Sequence, residues 1–184
     1  MGLFDLEKNF AFYGAYHSNP VNILIHMLFV WPLFFTILML LHFVPMFFLP
    51  NFAVFVTLAY SVFYVGMDKK AGSLAALLCF LCLFGASSFA NHLGYSLTWK
   101  VVLAAQLFGW TAQFLGHGIF EKRAPALLDN LVQAFLMGPY FVLLEALQQF
   151  FGYEPYPGFE SKVKDMVQAE IKVWQEIKKH KKSS

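Results

Sequence analysis

Of the 184 residues, 59% are hydrophobic and only 13% charged, whereas soluble domains run nearer about 45–50% and about 25%. Phenylalanine alone contributes 23 residues, and the net charge of +2 conceals a crowding of seven of the 13 basic residues from Lys162 onward. Such a chain cannot clothe a water-soluble surface in polar groups, which excludes a soluble domain and points to an integral membrane protein of one-domain size.

The N-terminal run MGLFDLEKNFAF lacks the ordered basic start, compact apolar core and small-residue cleavage site of a secretory signal, so no cleaved leader is expected. Met1-Gly2 carries Leu6 where a myristoylation motif needs Ser or Thr, so that reading is discarded too.

Four stretches approach the roughly 20 apolar residues of a spanning helix: 20–44, 52–67, 71–90 and 97–115. Asn19-Pro20 opens the first, because Asn is a favoured N-cap and Pro suits the first helical turn. Cys79 and Cys82, with no polar companions, read as small hydrophobes inside the third. A fifth stretch, 131–151, is interrupted by Gly138-Pro139 and carries Glu145, with Asp129-Asn130 placed to cap its start. No internal repeat is evident.

Basic residues set the orientation. Lys69 and Lys70 separate the second and third stretches, and Lys122 and Arg123 follow the fourth. Those loops, both termini and the lysine-rich tail are therefore expected on the cytoplasmic side. That arrangement requires the fifth stretch to dip and return, which a Gly-Pro break permits where other helices bury its backbone. The expected fold is an all-α polytopic bundle of four spanning helices plus a re-entrant or interfacial segment. After Glu160, the apolar residues Val163, Met166, Val167, Ile171, Trp174 and Ile177 recur at helical spacing among lysines. They predict an amphipathic helix, either on an anionic membrane face or packed on its own domain. The terminal KKSS resembles a dilysine retrieval signal of the endoplasmic reticulum.

The polar residues within this apolar chain fall in two places. His17 and His26 flank Asn19-Pro20, with Asn22 one turn before His26. Nine residues on one continuous helix would put the two imidazoles on opposite sides, but a turn at Ser18-Asn19 lets His17 fold back. Gln106, Gln113, His117 and Glu121 share one helical face, and a polar stripe on a membrane helix points inward. Three histidines and a carboxylate thus share the cytoplasmic end. Imidazole suits iron, zinc or copper, and Glu121 either ligates or orients a histidine. His92 falls on the far side unless its helix is short or tilted. His42 reads as facing headgroups and His180 as solvated. Histidine-box desaturase clusters, HExxH, GxSxG and phosphate-binding glycine loops are all missing, and nothing suggests nucleic-acid recognition.

FYGAYHSNPVNILIH (12–26) and FLGHGIFEKRAPALLDNLVQAF (114–135), continued by MGPYF and Glu145, resemble the endoplasmic-reticulum 2-hydroxy-fatty-acid dioxygenase family over residues 3–153. The resemblance implies an iron(II) enzyme that shortens 2-hydroxy fatty acids by one carbon with dioxygen, in sphingoid-base degradation. It implies His17, His26 and His117 as metal ligands, His92 as a possible fourth, and Glu121 as a catalytic companion. Lys122, Arg123, Asn22 and Gln113 are the expected substrate contacts, with residues 1–153 forming a membrane-embedded catalytic domain and 154–184 a basic tail. Two other readings remain open: a non-enzymatic membrane protein binding lipid or a partner, and a zinc-dependent hydrolase.

Overall fold

The computed structural model describes residues 2–125, 130–131 and 133–183. Among them the regular elements are all helical. They are α1 (Leu6–Tyr16), α2 (Pro20–Leu41), α3 (Phe52–Met67), α4 (Lys69–Leu115), α5 (Gly138–Phe151) and α6 (Phe159–Ser183), with π-helical stretches at Gly116–Glu121 and Gln133–Met137. The caps follow the sequence. Asn19 Oδ1 accepts from the Val21 amide at 2.9 Å, Asn51 Oδ1 from Val54 at 3.2 Å, and Asp68 from Lys70 and Ala71 at 3.2 and 3.1 Å. Asp129 and the side chains of Lys181 and Lys182 in KKSS lie outside the described residues.

Three helical runs are long and apolar enough to cross a membrane: Pro20–Leu41, Lys69–Glu121 and Gln133–Phe151; α3, at 16 residues, is shorter. The third and fourth expected stretches belong to one run of 53 residues. Straight, it would measure about 80 Å, far beyond a hydrocarbon core of roughly 30 Å. It folds at Gly94, whose φ of 68° and ψ of 164° lie in a region essentially reserved for glycine.

The contacts of α2 show how it folds. Phe35 meets Gly85 and Phe89 on the first half of α4, and His42 pairs with Asn91 at 2.9 Å. Leu33 also meets Gly109, and Thr36 meets Gln106, on the second half. The two halves therefore run antiparallel along α2. Small side chains let the first half pack closely, since Ala71, Ala75, Cys79, Ala86 and Ala90 are all buried. At Gly72 an added Cβ would collide with the backbone of Tyr64 and Val65. The outward faces remain apolar, as at Val62, Phe84 and Phe108.

An element the hydropathy pattern does not reveal, α1, lies across the end of the bundle where α2 starts and α3 stops. Phe4 packs on Phe63, and Phe10 and Tyr13 pack on Phe141 of α5. Gln133 Nε2 donates to Asn9 Oδ1 at 2.9 Å, and Tyr153 donates to Asp68 at 2.5 Å. Both ends of the fifth stretch thus touch this same end. The first half of α6 covers α1, burying Phe159 and Val163 and pressing Val167 against Gly14.

Gly94→Ala should lower the melting temperature in detergent by straining this backbone, a cost of about 1–3 kcal/mol. Gly118→Ala, where an added methyl meets nothing within 4 Å, should leave it unchanged. Equal melting of the two variants would show that the α4 hairpin does not depend on the Gly94 conformation.

Candidate metal centre

His17 follows the last residue of α1, its amide bonded back to Gly14 O at 3.2 Å. Ser18 and Asn19 then turn the chain, and Pro20 starts α2 in a new direction. The turn brings His17 back onto His26, so that their ring centroids stand 4.3 Å apart. His117 arrives from the π-helical stretch Gly116–Glu121, where one extra residue per turn re-aims the side chains. Gly116 permits the approach: a Cβ there would lie 2.5 Å from Asn22 Oδ1. The His117 ring lies 4.8 Å from His17 and 4.9 Å from His26, and the three rings are mutually edge-on at 70–79°.

The hydrogen bonds decide which nitrogens face inward. His17 Nδ1 bonds Tyr13 O and His26 Nδ1 bonds Asn22 O, each at 2.9 Å and each four residues back. A carbonyl only accepts, so both Nδ1 atoms carry the proton and both Nε2 atoms keep their lone pairs. Burial, followed by the neighbouring His26 and His117, pushes the His17 pKa well below its ordinary value and keeps the ring neutral.

His17 Nε2 and His117 Nδ1 are buried with no hydrogen-bond partner. A buried orphan of this kind costs about 1–3 kcal/mol. One nitrogen from each ring falls within a 4.8 Å spread, and among the described residues these three side chains form the group so gathered. Neutral imidazoles with unspent lone pairs and a backbone-anchored second nitrogen are the donor set of a transition-metal site. The residues therefore fit a divalent metal such as ferrous iron.

Glu121 sits beside this set and acts on the turn. Its carboxylate accepts from the Ser18 hydroxyl, from the Ser18 and Asn19 amides at 3.1 and 3.0 Å, and from Asn22 Nδ2 at 3.2 Å. Its bonds go to the segment between His17 and His26 rather than to an imidazole. Asn22, fully buried, spends its amide on Tyr16 O and Glu121. Gln113 is buried in the cavity wall, and its Nε2 has no partner.

Other candidates lie elsewhere. Arg123 donates to Ala15 O at 2.7 Å and stacks 3.5 Å over Tyr16, with the Trp174 ring of α6 5.2 Å away. It clasps α1 to the tail instead of reaching into the cavity. Lys122 is exposed, in a left-handed conformation, and its carbonyl accepts from Lys178 at 3.5 Å. His92 is exposed two residues before Gly94. Its neighbour Asn91 pairs with His42, at the opposite end of α2 from His26, so the fold does not bring His92 to the other three. His42 also accepts from or donates to Asn51 at 3.2 Å.

Two partners were not legible beforehand. Tyr13 stacks on His17 at 4.1 Å and donates to Glu145 at 2.7 Å. The spacing of Tyr13 and His17, one helical turn, was the available signal for the first; nothing local pointed to the second.

The histidines open into a cavity of ≈ 70 Å³, walled by Val30, Trp110, Gln113 and Phe141 among others. That is room for a metal ion and a few small ligands, since one water needs roughly 10–15 Å³.

The family described as 2-hydroxy-palmitic acid dioxygenase Mpo1-like matches residues 3–150. The 2-hydroxy-palmitic acid dioxygenase MPO1 of Saccharomyces cerevisiae is 39% identical over 146 residues, covering 79% of this chain and 82% of the yeast protein. No solved structure matches. On the extent and identity of these matches, the chain belongs to the 2-hydroxy-palmitic acid dioxygenase Mpo1-like family.

Proposed function

We propose that this protein is an iron(II)-dependent dioxygenase that converts 2-hydroxy fatty acids to fatty acids one carbon shorter. The observation that carries the reading is the trio of buried imidazoles, two locked with Nε2 facing inward, at the head of an apolar cavity. The overall reaction balances without a further reductant: a 2-hydroxy acid and dioxygen give the shortened acid, carbon dioxide and one water. Ferrous iron, when bound, supplies the redox chemistry that lets dioxygen react beside the C1–C2 bond.

The chain supplies the rest. His17, His26 and His117 hold the metal as neutral donors, and Glu121 fixes the turn that sets the first two in register. Gln113 Nε2, a buried donor with no partner, would bond the acid's carboxylate or hydroxyl. Val30, Trp110 and Phe141 limit water around the reacting carbon. Arg123 and Lys122 serve the cytoplasmic boundary rather than the substrate head, because Arg123 is engaged with Ala15 and Tyr16.

The reading can be checked on purified protein. Wild type should retain iron and consume 2-hydroxypalmitic acid. His17→Ala, His26→Ala and His117→Ala should each lose both properties while keeping the helical circular-dichroism signal. His42→Ala should keep both. A His17 or His26 variant with full iron and full turnover would remove that residue from the centre.

The membrane arrangement belongs to the same proposal, with four crossings in the endoplasmic reticulum. The fifth stretch continues as one helix through Gly138-Pro139 instead of turning back there, and lies at one side of the membrane as an interfacial helix. Its support is that Gln133 bonds α1 while Tyr153 bonds the α3–α4 turn, both at one end of the bundle. Beyond its docked half, α6 keeps Val173 and Ile177 exposed among lysines, which suits contact with an anionic membrane face. Protease added to sealed microsomes should therefore digest tags at both termini. Protection of the C-terminal tag alone would mean that the fifth stretch crosses.

A further inference from the structure

The histidine cavity does not end at its own walls. A second cavity of ≈ 170 Å³ shares Val30, Trp110, Gln113 and Ala134 with it and continues between α2, α4 and α5. Along α2 the lining passes from Val30 to Leu33 and Ile37, three and seven residues on, so one helical stripe walls both spaces. Val30 and Ile37 lie two turns apart, about 10 Å.

The polarity changes abruptly at Gln113. On the histidine side stand unpartnered nitrogens. On the other side each polar side chain in the wall is already engaged. Gln106 Nε2 donates to Leu33 O and Thr36 Oγ1, both at 2.9 Å, and its oxygen accepts from Trp110 Nε1 at 3.0 Å. Tyr60 donates to Phe135 O at 2.9 Å. Apart from Gln113 at the junction, the second cavity therefore offers an occupant mainly hydrocarbon and aromatic surface. An amphiphile with its head at the histidines has its tail directed here. Phe135, half exposed, forms the outer edge, so a tail longer than the cleft runs out among lipid.

We propose that this second cavity is the alkyl-chain channel and that Ala134, the smallest wall residue common to both spaces, is its neck. The proposal rests on the 2-hydroxy acid reading above. Ala134→Phe should close the neck. The variant should keep its iron yet turn over 2-hydroxypalmitic acid at least about ten-fold more slowly, less than two buried methylenes are worth. Ile37→Phe, at the far end, should slow 2-hydroxypalmitic acid while leaving 2-hydroxyoctanoic acid unchanged. It also serves as the test should Ala134→Phe fail to fold.

A binding measurement separates failure of the channel from failure of the reaction. Metal-free wild type should bind palmitic acid, which lacks the hydroxyl, and Ala134→Phe should not. If wild type converts no 2-hydroxy acid yet shows this difference, the channel stands and the reaction is wrong. An iron-loaded Ala134→Phe or Ile37→Phe protein that converts 2-hydroxypalmitic acid at the wild-type rate overturns the channel, as does equal palmitic acid binding by Ala134→Phe and wild type.

Discussion

One carboxylate closes the centre. Glu121 gathers the Ser18 and Asn19 amides, the Ser18 hydroxyl and Asn22 Nδ2, and thereby joins the end of the long helical run to the turn between α1 and α2. The two elements so joined carry all three histidines: His17 before the turn, His26 after it and His117 one turn ahead of Glu121. Hydrogen bonds to a charged acceptor are among the stronger ones, at about 1.5–3 kcal/mol each. The three-histidine arrangement therefore rests on a residue whose own bonds go to none of the imidazoles.

Around that knot the bundle is built for lipid. Its outer faces carry Val62, Phe84 and Phe108, while close contacts inside rely on alanine, cysteine and glycine along α4. Tight packing and an open cleft coexist because they lie on different sides of α2. Facing the first half of α4, Phe35 closes directly over Gly85. Facing the second half and α5, the bulky Trp110 and Phe135 hold the helices apart. Phe135 comes from a π-helical stretch, and His117 from the other. Widened turns thus shape both the centre and the space beyond it.

Membrane class, the start of α2 and the bounds of α3 were legible because hydropathy and the Asn19-Pro20 cap are local signals. The fold-back of His17 onto His26 was legible as a permitted geometry, since Asn19-Pro20 breaks the helical phase. What escaped reading was non-local or conformational. Residues 69–121 form one run turned at a single glycine, Gly94, within the gap at 91–96 that the hydropathy pattern leaves open but cannot assign to one residue. Residues 6–16 are helical because tertiary packing against α5 and α6 stabilises a segment too short and mixed to announce itself. Arg123 looked like an anion site by its charge, yet its partners Ala15 and Tyr16 lie more than a hundred residues away. Glu145 finds Tyr13 across a similar distance. The expected third and fourth stretches lie on either side of that glycine, and what was not read is that helix continues up to it from both sides.

The proposed redox chemistry is assigned to a three-imidazole site, a donor set that zinc hydrolases also use. Oxygen consumption separates the two most directly. Protein loaded with ferrous iron and given 2-hydroxypalmitic acid should consume one dioxygen for each acid lost, and the same protein loaded with zinc should consume none and convert nothing. Conversion that proceeds without dioxygen, or equally well with zinc, would contradict the account.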